Sequence, residues 1–195
     1  MLELDLKKYR FEHKWFCNSE IKRELTKYFD SKQLNNILEL GSFEGLSGTA
    51  FSDNLLDHER STLDCVDPFI LSESGLTPSK KVIASVEENC RFNLVKSKNS
   101  NKCTIHKMKS DAFFSRNYRD FNLIYIDGSH EVDDIKHDMV NGFACLRTSG
   151  IMWMDDYMGG NTVGEIESAM NSVIDSFGHL CKIIHKGYQI AILKV

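Results

Sequence analysis

ILELGSFEG, residues 37–45, is the stretch on which the fold class turns. An apolar run reads as a buried strand, Glu39 falls near its end, and Gly41 opens a turn that feeds a helical pattern from Leu46. In an open α/β sheet, ligands bind outside the carboxyl ends of the strands, and glycine lets backbone approach a ligand closely. Gly41 and Gly45 suit that role, with Gly48 early in the following helix. The spacing is not G-x-G-x-x-G, which argues against a pyrophosphate seated on the helix N-terminus. A carboxylate at Glu39 suits a cationic or amine-bearing ligand better than a phosphate. The alternative is a tight strand-to-helix turn that binds nothing.

Outward from this stretch the chain alternates. Further strand-like runs occur at Thr62–Val66, Thr104–Met108, Leu123–Ile126 and Ile151–Met154. Helical patterns lie between and around them. One is capped by Asn18 or Ser19 and runs to Tyr28, another covers Leu46–Leu56, and a third opens at Thr77-Pro78 with Val82, Val86 and Cys90 on one face. A fourth covers Val132–Leu146, with Ile135, Met139 and Phe143 inward, and stops before Thr148-Ser149-Gly150. A fifth covers Val163–Phe177 and ends at Gly178. Strands joined by helices need crossovers, which build a parallel sheet with helices on both faces. Leu180–Ile184 and Tyr188–Val195 are separated only by His185, Lys186 and Gly187, too few for a crossover, so an antiparallel hairpin is expected at the C-terminus.

The bulk numbers agree with one α/β domain. A chain of 195 residues with 42% hydrophobic and 27% charged content can bury a full core. A formal net charge of -4 offers no broad attraction to phosphate backbones or anionic membranes, so no nucleic-acid partner is expected. No apolar run approaches the roughly 20 residues of a bilayer span, and MLELDLKKYRFEHKWF lacks the basic-then-apolar pattern of a signal peptide, so a cytoplasmic protein is expected. Cys17, Cys65, Cys90, Cys103, Cys145 and Cys181 show no C-x-x-C pair and read as reduced, mostly buried thiols.

Two further acids follow strands. Asp67, after TLDCV, can accept hydrogen bonds from both hydroxyls of a ribose, or serve as a turn aspartate before Pro68. Asp111, in KSDAFF, can accept from an adenine amino group while Ala112 and Phe113 pack the ring, or cap a helix.

Together these features resemble the class I S-adenosylmethionine-dependent methyltransferases over roughly residues 35–195. ELGSFEG looks like their glycine-rich motif (Glu39, Gly41, Ser42, Phe43, Gly45), Asp67 like their ribose acid, and Ser110-Asp111-Ala112 like their adenine segment. The resemblance implies a Rossmann-like, mostly parallel seven-stranded sheet with an antiparallel strand inserted through the terminal hairpin. It divides the chain into a helical cap over residues 1–34 and a catalytic core over 35–195. FNLIYIDGSHEVDDIKHDM followed by LRTSGIMWMDDY is similar to a branch of small O-methyltransferases that includes catechol and macrocin O-methyltransferase relatives and cephalosporin-hydroxylase-like proteins.

That branch implies a divalent metal on Asp127, Asp155 and Asp156, with Asp127 also facing the cofactor. Independently of family, three carboxylates meeting at one sheet edge repel unless protonated or neutralised, and oxygen-only ligands favour Mg²⁺, Mn²⁺ or Ca²⁺. The expected reaction is methyl transfer to a hydroxyl of a small molecule or saccharide, with oligomeric state, a homodimer included, left open. His130, three residues past Asp127, is the candidate general base. His137 reads as a surface or packing residue, and His185 and Lys186 as solvated turn residues. Tyr9–Phe16 and Phe69–Lys80 are expected to shape the acceptor pocket, although Trp15 and Phe16 read as packing against the sheet edge in preference to touching a ligand, and Met158-Gly159-Gly160-Asn161 is expected to form a loop at the mouth of the site. A nicotinamide-dependent oxidoreductase shares the glycine turn and the acid at Asp67, but the glycine spacing, Glu39 and the terminal hairpin count against it. An inert methyltransferase-like binding module is the other alternative.

Overall fold

Apolar runs flanked by glycine or aspartate become strands here because both faces of each run are covered, as parallel sheets require. In β1 (Asn36–Leu40), Ile37, Leu38, Glu39 and Leu40 are all buried. The computed structural model describes residues 2–16, 19–70, 80–116, 120–159 and 164–195. The other elements are α1 (Ser19–Leu25), α2 (Leu46–Leu55), β2 (Thr62–Val66), α3 (Lys80–Lys96), β3 (Cys103–His106), α4 (Ser110–Phe114), β4 (Phe121–Ile126), α5 (Val132–Cys145), β5 (Leu146–Met154), α6 (Glu165–Phe177), β6 (Cys181–Lys186) and β7 (Ile190–Lys194). The strands form a seven-stranded sheet in the order β3-β2-β1-β4-β5-β7-β6.

The chain forms two compact units, one of Met1–Asn35 with Ser42–Met108, the other of Asn36–Gly41 with Lys109–Val195. In the first, β2 and β3 pair in parallel from Leu63↔Cys103 to Val66↔His106, and α2 packs against β2 and α3. In the second, β1, β4 and β5 pair in parallel, while β7 runs antiparallel to both β5 and β6. The expected terminal hairpin is therefore present, and its second strand is the one inserted beside β5. α5 lays Ile135, Met139 and Phe143 inward as its spacing predicts, and α6 packs against it through Ile166, Met170, Val173 and Ile174.

Several boundaries differ from the sequence reading. Helix α1 stops at Leu25, and Tyr28 is exposed. β5 begins at Leu146, directly after α5, whereas the sequence reading starts this strand only at Ile151, past Thr148-Ser149-Gly150. Its pairing with β4 is irregular between Phe121 and Leu123, and Ser149 takes φ +64°, so the polar tripeptide is absorbed as an irregularity in the strand. His185 belongs to β6 and stacks on Trp153 at 5.0 Å between ring centres; it is not a solvated turn residue. Of the described cysteines, Cys65 and Cys90 are buried, whereas Cys103, Cys145 and Cys181 are half-buried. Cys17, the Thr77-Pro78 helix start and most of the Phe69–Lys80 connection lie outside the described residues, as do Gly160 and Asn161. Among the described residues, no helix is long and apolar enough to cross a membrane.

Candidate active site

In the first unit the turn after β1 is built around Asp67. Its Oδ2 accepts the backbone N–H groups of Ser42 and Phe43 at 2.9 and 2.8 Å, and its Oδ1 that of Phe69 at 2.6 Å. Burial raises the Asp67 pKa, against the lowering effect of those three amides. A carboxylate has about four acceptor sites, and among the described residues three on Asp67 are taken by the turn. Asp67 therefore serves the turn, one of the two roles its sequence position allows. Phe43, at φ +46°, is held in the left-handed region by this clasp. Gly45 follows at φ +77° as the residue before α2.

The N-terminal segment lies on the same turn. Glu44, buried, accepts the N–H groups of Glu12 and His13 at 2.9 Å each and the Asn89 amide at 3.0 Å. Asn93 ties Arg10, through both its N–H and its carbonyl, to the Glu44 carbonyl. Trp15 stacks on Phe43 with ring centres 4.7 Å apart and is 71% exposed. Phe16 is buried, edge-on to Phe51.

In the second unit the carboxylates gather at the ends of β4 and β5. Gly41, at φ +85°, is required because a Cβ there would lie 1.9 Å from the Asp127 carbonyl oxygen. The close approach this glycine permits is therefore to protein backbone, and Asp127 N–H donates to the Leu40 carbonyl at 2.8 Å. Asp155 N–H donates likewise to Ile126. Glu39 is wholly buried and is the register partner of Tyr125. The Tyr125 hydroxyl donates to Asp155 Oδ2 at 2.8 Å and lies 3.2 Å from Asp127 Oδ2. Burial first, and then the charges of Asp155 and Asp156, push Asp127 well above the usual carboxylate range.

Asp156, at φ +54°, turns away from this pair. Its Oδ2 meets His130 Nε2 at 2.9 Å and its Oδ1 accepts the Tyr188 hydroxyl. The imidazole holds the Asp156 pKa below its usual value, and in return Asp156 raises that of His130. Hydrogen bonding to Asp156 also raises Tyr188. His130, with its side chain 57% exposed, can be reached by a ligand.

The adenine-segment residues are placed differently from one another. Ser110 bonds to buried Asp138, Phe113 is buried, and Asp111 is an exposed first-turn acid paired with His137 at 3.0 Å. His137 is the surface residue expected. Tyr125, Tyr188 and Asp138 escaped the sequence reading. Tyr125 carried the one usable signal, since a residue two before Asp127 in a strand shares its face.

Whether the acids fit a divalent ion is a question of convergence. Among the described residues, the ligand-type atoms of Glu12, His13 and Glu44 lie within 4.8 Å of one another, and no such set includes Asp127, Asp155 and Asp156. Glu44 already accepts three N–H groups, so that set is the clasp of the N-terminal segment. The three aspartates, as arranged, do not fit a shared metal.

Residues 38–157 match the family model described as a methyltransferase domain. The chain belongs to this family. No curated protein sequence matches this methyltransferase domain. Among solved structures it is similar to the O-methyltransferase TomG of Streptomyces achromogenes, involved in tomaymycin synthesis and in complex with S-adenosylmethionine (12% identity, 84% of this chain and 74% of that one, TM-score 0.61). It is similar to an O-methyltransferase of Bacillus cereus in complex with S-adenosylhomocysteine (10%, 97% and 95%, TM-score 0.58). It is also similar to a precorrin-6y C5,15-methyltransferase of Geobacter metallireducens (12%, 99% and 98%, TM-score 0.67). At these identities the likeness is one of fold.

Proposed function

We propose that this methyltransferase domain methylates a hydroxyl oxygen of a small molecule, saccharides included, with S-adenosylmethionine as donor, in the cytoplasm. The observation that carries the reading is His130, accessible and held by Asp156 beside the Tyr125–Asp127–Asp155 cluster. An alcohol is a poor nucleophile until its proton is taken up, and a positioned imidazole does that near neutral pH. TomG and the Bacillus cereus enzyme, both O-methyltransferases on this fold, support the oxygen acceptor and the donor.

The donor, when bound, supplies a methyl carbon on a cationic sulfur, and the carbon–sulfur bond breaks with its electron pair leaving on sulfur. Burial and the neighbouring acids raise Asp127 in the absence of a cation; a bound sulfonium would favour its ionised form, and with Glu39 it would give that cation a counter-charge. Asp67 offers an acceptor to a ribose hydroxyl, Ser42, Phe43, Gly41 and Gly45 shape the turn beside it, and Ser110, Asp111 and Ala112 take the adenine side. With His130 Nε2–H donating to Asp156, Nδ1 accepts the acceptor's proton as the oxygen attacks. Residues 1–34 form a segment apart from the catalytic core 35–195, held to the turn after β1 by the Glu44 clasp. A divalent ion on Asp127, Asp155 and Asp156 is the finer reading this arrangement does not favour, and no step is assigned to one.

A thermal-shift screen of S-adenosylmethionine, S-adenosylhomocysteine and NAD, with and without Mg²⁺, tests the reading. Stabilisation by the two adenosyl compounds is expected. Stabilisation by NAD alone would return the oxidoreductase to first place.

A further inference from the structure

Asp127 and Asp155 follow adjacent parallel strands that are in register at Ile126↔Met154. Two carboxylates so placed repel unless a cation or a shared proton lies between them. What lies between them is the phenol oxygen of Tyr125, 2.8 Å from one and 3.2 Å from the other. Strand alternation puts Tyr125 on the same face as Asp127. The residue is wholly buried, with Glu39 as its register partner on one side and Trp153 on the other, so its ring has no room to swing out. The third acid is drawn off, because Asp156 is held by His130 and Tyr188.

We propose that Tyr125 is a positioning residue whose hydroxyl stands between Asp127 and Asp155 where a divalent ion would otherwise bridge them, so that this site works without a metal. Only the last clause rests on the methyltransferase reading. Mg²⁺ demands about six oxygens at roughly 2.1 Å, and Mn²⁺ similar oxygen ligation. Here the bridging position is already taken by an atom that donates one proton and can serve both acids. Replacing Tyr125 by phenylalanine removes that atom alone and leaves Asp127 and Asp155 without the hydroxyl that lies within hydrogen-bond reach of both, a place a hard cation can take.

Mn²⁺ titration of the cofactor-free protein, followed by electron paramagnetic resonance, tests this on the wild type, Y125F and Y125F/D155N. The wild type is expected to take up no Mn²⁺ at this site up to the order of 1 mM. Y125F is expected to bind with a Kd at least about tenfold lower, and the double variant to lose the gain. Equal binding by wild type and Y125F, or no gain in Y125F, overturns the inference. Should Y125F fail to fold by circular dichroism, wild type and D155N decide. Mn²⁺ binding by the wild type that D155N abolishes overturns the inference, and no binding by either upholds it. Failure of the wild type to bind S-adenosylhomocysteine strikes the proposed function and leaves the role of the Tyr125 hydroxyl standing.

Discussion

Asp67 and Glu44 take most of their hydrogen bonds from backbone amides, whereas Asp127, Asp155 and Asp156 take theirs largely from Tyr125, Tyr188 and His130. An amide N–H does not exchange its proton usefully near neutral pH; an imidazole does, and a phenol hydroxyl can relay one. The first region is therefore a clasp that fixes the shape of a turn, and the second is where proton positions can change. Both use buried acids, so acid content alone does not tell a binding turn from a reactive centre. The nature of the donors does.

Asp127→Ala separates the two regions most strongly. Steady-state kinetics should show kcat down by about 10²–10³-fold, while affinity for S-adenosylhomocysteine, whose sulfur carries no charge, stays nearly unchanged. An equal loss of both would merge the two regions into one.

Gly41→Ala attacks the reactive centre through its backbone. A Cβ 1.9 Å from the Asp127 carbonyl at φ +85° should cost about 3 kcal/mol or more in chemical denaturation. Gly45→Ala, whose nearest neighbour is the Cys90 sulfur at 3.1 Å, should cost about 1–2 kcal/mol. Equal costs would show that the Asp127 backbone does not dictate Gly41.

Glu44→Ala tests the clasp. Leaving the Glu12 and His13 amides without their acceptor should cost about 1–2 kcal/mol and speed tryptic cleavage at Arg10 and Lys14, with little change in kcat. Unchanged cleavage would mean that Glu44 does not hold the segment.

The smallest effect is in pH. A base with a raised pKa must lose its proton before it acts, so kcat/KM should rise with pH through a His130 ionisation above the usual imidazole value. Asp156→Asn removes the main cause of that rise, and the limb should move to lower pH. For stability the signs are opposite within the pair. His130 contributes below its unfolded pKa and loses this as pH climbs through the raised folded one. Asp156 contributes above its unfolded pKa and loses this as pH falls through the lowered folded one. The stability difference between wild type and Asp156→Asn should therefore be greatest between the carboxylate and imidazole ranges; a flat difference across pH would contradict the pairing.

The strand framework was legible wherever an apolar run ended at a glycine or an acid, as in β1 and β2, whose observed bounds differ from the reading by one residue at most. It was less legible at β5, where a polar tripeptide inside a strand mimics a loop because an irregularity can absorb it. The acids were visible because each falls at a strand end. Of their partners His130 was visible and the tyrosines were not, since Tyr125 reads as one more apolar strand residue, and Tyr188 approaches Asp156 only through the hairpin. Side-chain direction separated Asp156 from Asp155, and nothing in DDY announces a left-handed second aspartate.

The most direct test of the central claim is calorimetric titration of S-adenosylhomocysteine into wild type, Asp67→Ala and His130→Ala. Binding to the wild type is expected, with unchanged affinity in His130→Ala and a Kd about tenfold higher in Asp67→Ala. No binding to the wild type, or equal weakening in both variants, would contradict that claim.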